Sequence, residues 1–249
     1  MATVSVVSRI TGLANPTRFL ALAGRVIPWL AGVTAVLLAV GLVLGFRAPP
    51  DYQQGDMAKF LYIHPPAAWV AMLTYGVMAV AALGTLVWKH PLADVAAKAA
   101  APIGAAFTFV GLVTGALWGR PTWGTYWVWD ARLTSFLVLF ILYLGLIAVW
   151  RTIEDPTRAA RVTAILILVG SVNLPIIKFS VEWWNTLHQA SGALSLTDSS
   201  VDTSMLIPML IMLLAFTLLF LTLHLTAMRN EILRRRARTM GLLAAGRAA

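Results

Sequence analysis

Residues 118–135 read Trp118-Gly-Arg-Pro-Thr-Trp-Gly-Thr-Tyr-Trp-Val-Trp-Asp-Ala-Arg-Leu-Thr-Ser135. Four tryptophans, a tyrosine, an aspartate and two arginines stand there between two long apolar runs. Large rings bordered by charge suit a flat, largely apolar ligand with an acidic edge, since aromatic faces stack on flat rings and arginine forks grip carboxylates. Trp123, Trp127 and Asp130 follow one another at i, i+4 and i+7, which predicts a short interfacial helix presenting all three on one face. Gly119, Pro121 and Gly124 predict a turn before it. The other chemistry-bearing residues are four histidines. His64 precedes Pro65-Pro-Ala-Ala-Trp69, and His188 closes Glu182-Trp-Trp-Asn-Thr-Leu-His188, where helical spacing would set Trp184 one turn from the imidazole.

The surroundings of these residues are those of a membrane protein. The 249 residues are 59% hydrophobic and 12% charged, against about 25% charged in soluble domains. Charge-free runs lie between Arg25 and Arg47, Lys59 and Lys89, Lys98 and Arg120, Arg132 and Arg151, Arg161 and Lys178, and Asp202 and Arg229. A spanning helix needs about 20 such residues, so an all-α integral membrane protein with six spans is expected. The second helix should start near Pro65, because prolines suit a first helical turn. The fifth run carries Asn173 and Pro175 and should kink, continuing to about Val181. The interval Arg25–Arg47 is too long for the core of a cleaved signal peptide, and the residues before Arg25 are expected to form a short interfacial segment, with Asn15-Pro16 as a break. The resulting organisation is a single membrane domain: residues 1–25 an N-terminal cytoplasmic or interfacial segment, 26–228 the bundle, and 229–249 a basic tail. No internal repeat is visible.

With six spans, 14 Lys and Arg fall on one side and 5 on the other, which places both termini in the cytoplasm. The charge of +9 is then topological and does not point to nucleic acid. The outer segments are 47–64, 118–132 and 179–203, and they hold six of the ten acidic residues. His64 and His188 fall on the outer side; His90 and His224 fall on the inner. Trp29, Trp69, Trp88 and Trp150, each near a span end, read as membrane-belt residues.

Imidazole is a common axial ligand of haem iron, and two outward histidines can supply both axial positions. The expected site is therefore non-covalent haem b: His64 and His188 on the iron, with Trp118, Trp123, Tyr126, Trp127, Trp129 and Trp184 as platform. Asp130 is expected to support a ligating group, and Arg132, Lys59 and Arg120 to meet the propionates. With no cysteine in the chain, covalent attachment through Cys-x-x-Cys-His is excluded. Two other classes remain open. One is a b-type electron-transfer subunit with a second haem at His90 and His224; the other is a permease subunit in which the rings only shape a vestibule.

The stretch Trp118-Gly-x-x-x-Trp123-Gly-Thr-Tyr-Trp127-Val-Trp129-Asp130-Ala-Arg132-Leu-Thr-Ser135 resembles the tryptophan-rich WWD signature of haem-handling proteins in cytochrome c biogenesis. Length, span number and one histidine on each side of the signature are similar to the cytochrome c maturation protein C (CcmC) type. The resemblance covers about residues 25 to 230. It implies a haem-binding, non-enzymatic subunit of an ABC-type complex in a bacterial inner membrane, with haem held at the periplasmic face by His64 and His188. The implied partners are a CcmA-type ATPase, a CcmB-type membrane subunit, a CcmD-type small membrane subunit and the haem chaperone CcmE. The chain has no G-x-x-x-x-G-K-[S/T] phosphate loop, consistent with ATP hydrolysis in a partner.

Overall fold

The structure is a computed structural model that describes residues 14–188 and 202–248. Residues 1–13, Arg9 among them, and most of the expected third outer loop lie outside the described residues. The described chain is helical: α1 Pro16–Arg47, a 3-10 turn Asp56–Tyr62, α2 His64–Leu86, α3 Ala93–Trp123, α4 Ala131–Thr152, α5 Pro156–Gly170, α6 Asn173–Trp183 and α7 Thr203–Ala248. Taking the 3-10 turn with α2, and α5 with α6, six segments are long and apolar enough to cross a membrane. The protein is a multi-pass membrane protein.

Helix boundaries follow local chemistry. Asn15 caps α1, its side chain accepting from the Thr17 N–H at 2.8 Å, with Pro16 in the first turn. The helix then runs unbroken through Arg25, so residues 16–25 of the expected interfacial segment are its first turns. At about 1.5 Å per residue, 32 residues reach ~48 Å, more than the roughly 30 Å hydrocarbon core. The tail from Arg229 likewise continues α7, which is 46 residues long. Helix α2 opens at His64 with Pro65 and Pro66 in its first turn. The fifth span breaks at Ser171–Val172 between α5 and α6. Pro175 has no N–H, and its ring excludes an α-helical carbonyl at Ser171; the Ser171 carbonyl accepts from the Leu174 N–H at 3.0 Å instead.

Lipid gives helices no hydrophobic reason to associate, so close packing of small residues and buried hydrogen bonds hold the bundle. Ala67, Ala71, Ala82, Ala97, Ala100, Ala101 and Ala105 are buried on α2 and α3, and these two helices form the most extensive pair. Tyr75 and Tyr143 fill the centre, both fully buried, with ring centroids 5.3 Å apart. The Tyr143 hydroxyl donates to the Ala71 carbonyl at 2.7 Å. A Cβ at residue 104 would overlap the Tyr143 ring, so glycine lets α3 approach it. Gly104→Val is expected to lower thermal stability in detergent by at least the ~1–3 kcal/mol of an overpacked core; an unchanged melting temperature would remove this account of the packing.

The bundle has two chemically different ends. At one, α3 and α7 are tied by Lys98–Glu231 at 3.0 Å and Asp94–Arg235 at 2.7 Å, and Arg236 donates to the Thr17 hydroxyl of α1. At the other, the ends of α3 and α6 meet the starts of α2 and α4, and the aromatic stretch lies there.

Candidate haem site

Around the aromatic stretch, α3 continues to Trp123 and stops at Gly124, which adopts φ 78° and donates to the Arg120 carbonyl at 3.1 Å. This left-handed terminus favours glycine. Residues 124–130 form no helix, contrary to the short interfacial helix expected from spacing. The Thr125 hydroxyl bonds to the carbonyl and N–H of Trp127 at 3.1 and 3.4 Å, a local bond that competes with helix formation. The aromatic and β-branched run that follows has weak helix propensity. The second expected helical spacing fails too. Helix α6 ends at Trp183, Trp184 is extended, and the Thr186 hydroxyl accepts from the His188 N–H at 3.2 Å.

Despite these departures, His64, Trp123, Trp127, Arg132 and His188 line one cavity. It holds roughly 570 Å³ of free space, open solvent included. Its apolar walls come from positions that carry no signal as single residues, among them Ala68, Met72, Leu112 and Phe136. The ring beside His188 is Trp123, at 4.8 Å between centroids, and not Trp184, which packs on Trp183.

The two imidazoles present Nδ1 to different acceptors. The Nδ1 of His64 lies 3.0 Å from the Gly111 carbonyl oxygen, which can only accept. Nδ1 therefore carries the proton and Nε2 keeps its lone pair. The Thr114 hydroxyl lies 3.3 Å from the same nitrogen. Gly115 makes room for this ring: a Cβ there would sit 2.8 Å from His64 Cε1. The Nδ1 of His188 faces Asp130 Oδ2 at 3.5 Å, long for a hydrogen bond, and has no closer partner among the described residues. Burial pulls the His188 pKa below its ordinary value, and the Asp130 carboxylate pushes part of the way back. Burial favours the neutral ring, the state in which imidazole binds metals, while the carboxylate orients it.

Asp130 is 8% exposed and has two tasks. Oδ1 accepts from the Leu133 N–H at 2.8 Å and caps α4; Oδ2 takes the Leu187 N–H at 3.4 Å and faces His188. The last residue of the Trp-rich segment thus joins the start of α4 to the chain after α6. Arg132 lines the cavity with its Nε donating to the Ser180 hydroxyl at 2.8 Å; its remaining guanidinium nitrogens make no hydrogen bond among the described residues. The indole N–H of Trp127 is buried without a partner.

Other residues expected in the site lie around it. Trp118 meets the His64 ring edge-on at 5.9 Å, and its N–H donates to the Gln54 side-chain oxygen at 2.7 Å. Trp129 leans on Trp127 and is 75% exposed. Tyr126 is 58% exposed beneath the Arg120 guanidinium, which donates to the Gly124 carbonyl. Lys59 pairs with Asp56 at 2.7 Å. None of these five, nor Trp184, lines the cavity. Sequence reading missed Gly111, Thr114, Gly115 and Ser180, whose contributions are a carbonyl, a hydroxyl or the lack of a side chain. His90 and His224 do not come together: His90 lines a separate cavity at the opposite end, while His224 is buried against Phe220.

The chain is similar to known proteins over most of its length. The family described as "CcmC: Heme exporter protein C" matches residues 9–242. Heme exporter protein C of Bradyrhizobium diazoefficiens is 66% identical over 237 residues, covering 95% of this chain and 90% of that protein. The protein of the same name from Escherichia coli K12 is 56% identical over 180 residues, covering 72% and 74%. That of Haemophilus influenzae is 50% identical over 189 residues, covering 76% and 77%. With two histidines, a carboxylate and two signature tryptophans gathered at one end of six spans, and with identity of this extent, the chain belongs to the heme exporter protein C family.

Proposed function

We propose that this protein holds one non-covalent haem b in the cavity between His64 and His188 and presents it to a haem chaperone for c-type cytochrome assembly. The observation that carries the reading is two imidazoles lining a single apolar cavity, His64 with Nδ1 on the Gly111 carbonyl and Nε2 left with its lone pair, and His188 with Nδ1 facing the Asp130 carboxylate. The chemistry supplied is axial ligation of iron. Trp123 and Trp127 provide ring surface, and the Arg132 guanidinium and unpartnered Trp127 N–H provide donors for propionate oxygens.

The exposed rings Tyr126, Trp129 and Trp184 form the approach to the cavity and suit contact with a protein that collects the haem, the CcmE-type chaperone. On this reading the chain is a non-enzymatic subunit, with ATP hydrolysed by a CcmA-type partner and CcmB- and CcmD-type subunits completing the complex. The excess of Lys and Arg at the far end supports an orientation with that end in the cytoplasm and the haem site at the periplasmic face of a bacterial inner membrane.

Gly115→Ala tests the site without touching a ligand. The added methyl must displace the His64 ring, so haem retention should fall about tenfold, in the range seen when groups that orient a ligand are lost. Absorbance titration of the purified variant measures this directly. Unaltered retention, with the protein inserted normally, would show that the His64 position is not the one that binds haem.

A further inference from the structure

A second cavity opens at the end of the bundle opposite His64 and His188, with roughly 860 Å³ of free space, open solvent included. Its wall combines Thr85 and Leu86 of α2, Lys89, His90 and Pro91 of the following turn, and Asp94 of α3. Thr157 and Arg161 of α5 and Arg235 of α7 complete it. The cations are Lys89, Arg161 and Arg235; the one acid, Asp94, is engaged by Arg235 at 2.7 Å. Among the described residues no acidic side chain pairs with Lys89 or Arg161. The Leu92 N–H donates to His90 Nδ1 at 3.3 Å, so the neutral ring carries its proton on Nε2 and offers another donor. Lys89 is held at φ 49°, the only non-glycine residue with positive φ among those described. The His90 N–H, donating to the Gly84 carbonyl at 3.0 Å, fixes that turn.

The haem reading uses none of these groups. Positive-inside charge explains cations at this end, but not their convergence on a concave surface with apolar residues beneath. We propose that this cavity binds a phosphate-bearing anion, the phosphodiester headgroup of an anionic phospholipid. Basic pockets between spanning helices on the cytoplasmic side have this use. Trp88, beside Lys89 and 72% exposed, stands where a tryptophan marks headgroup level, and Leu86 and Pro91 give the glycerol and acyl start an apolar surface.

The test uses the full-length protein in nanodiscs of mixed phosphatidylglycerol and phosphatidylcholine, with bound lipid counted by native mass spectrometry. The wild type should retain phosphatidylglycerol preferentially. The double variant Lys89→Gln with Arg161→Gln should lose that preference by about 30-fold, following from roughly one lysine- or arginine-sized contribution for each cation removed. Lys89→Arg with Arg161→Lys should keep it, and haem titration at the other end should be the same in all three proteins, which separates a lost site from a misfolded chain. Absence of lipid preference together with inorganic phosphate binding that the Gln variant abolishes would support the phosphate site and assign it to a soluble source. Absence of both, or equal lipid retention by wild type and Gln variant, overturns the proposal.

Discussion

His64→Ala and His188→Ala should each abolish the six-coordinate haem spectrum of the purified protein, and the double variant should retain no haem. The two singles should not be equivalent. His64 is fixed by a 3.0 Å contact to a helix carbonyl and by the Gly115 gap, so the cavity around it is rigid. His188 sits after the end of α6, oriented by a 3.5 Å carboxylate contact and by the Thr186 turn. Loss of His64 therefore removes a preorganised ligand, and loss of His188 a ligand on an adaptable segment. Added imidazole should restore a six-coordinate spectrum more readily in His188→Ala, where the chain can yield to admit it. Retention of a full wild-type spectrum by either single variant would contradict the assignment.

The second large effect is expected at Asp130. Asparagine can keep the cap on α4 through its carbonyl oxygen, so Asp130→Asn should lower stability little. It places either an amide N–H or a weaker acceptor opposite His188 Nδ1. An N–H there favours the tautomer with the proton on Nε2, which cannot ligate iron. Loss of such an orienting partner typically costs 10–100-fold in metal affinity, and a decrease of about that size is expected in haem titration. Asp130→Ala should add the loss of the cap, ~1 kcal/mol, visible as a lower melting temperature. If both variants bind haem like the wild type, Asp130 serves the fold alone.

Much of the architecture was legible because charge-free runs of near-bilayer length leave few alternatives: span number, the break near Pro175, and the start of α2 at the prolines all followed from composition. The grouping of His64 and His188 followed from parity, since an even number of spans, two, separates each from the Trp-rich stretch. Helical spacing within the loops was a poorer guide. Trp123 and Trp127 reach the cavity, and Asp130 meets His188, because a helix end, a left-handed glycine and an extended segment place them there, and not because they share a helical face. Thr125 and Thr186 decide this through side-chain bonds to nearby backbone, which periodicity does not register. Lys59 and Arg120, chosen for charge and side of the membrane, are engaged locally by Asp56 and by the Gly124 carbonyl and Tyr126. Gly111 and Gly115 were not legible, because their contribution to the site depends on which ring they face across the α2–α3 interface.

The most direct test of the account is the haem stoichiometry and electron paramagnetic resonance spectrum of the purified ferric protein. One haem per chain with a low-spin, bis-imidazole signal, lost on replacing His64 and His188 together, is the predicted result. Two haems per chain, or a low-spin signal that survives the double replacement, would contradict it.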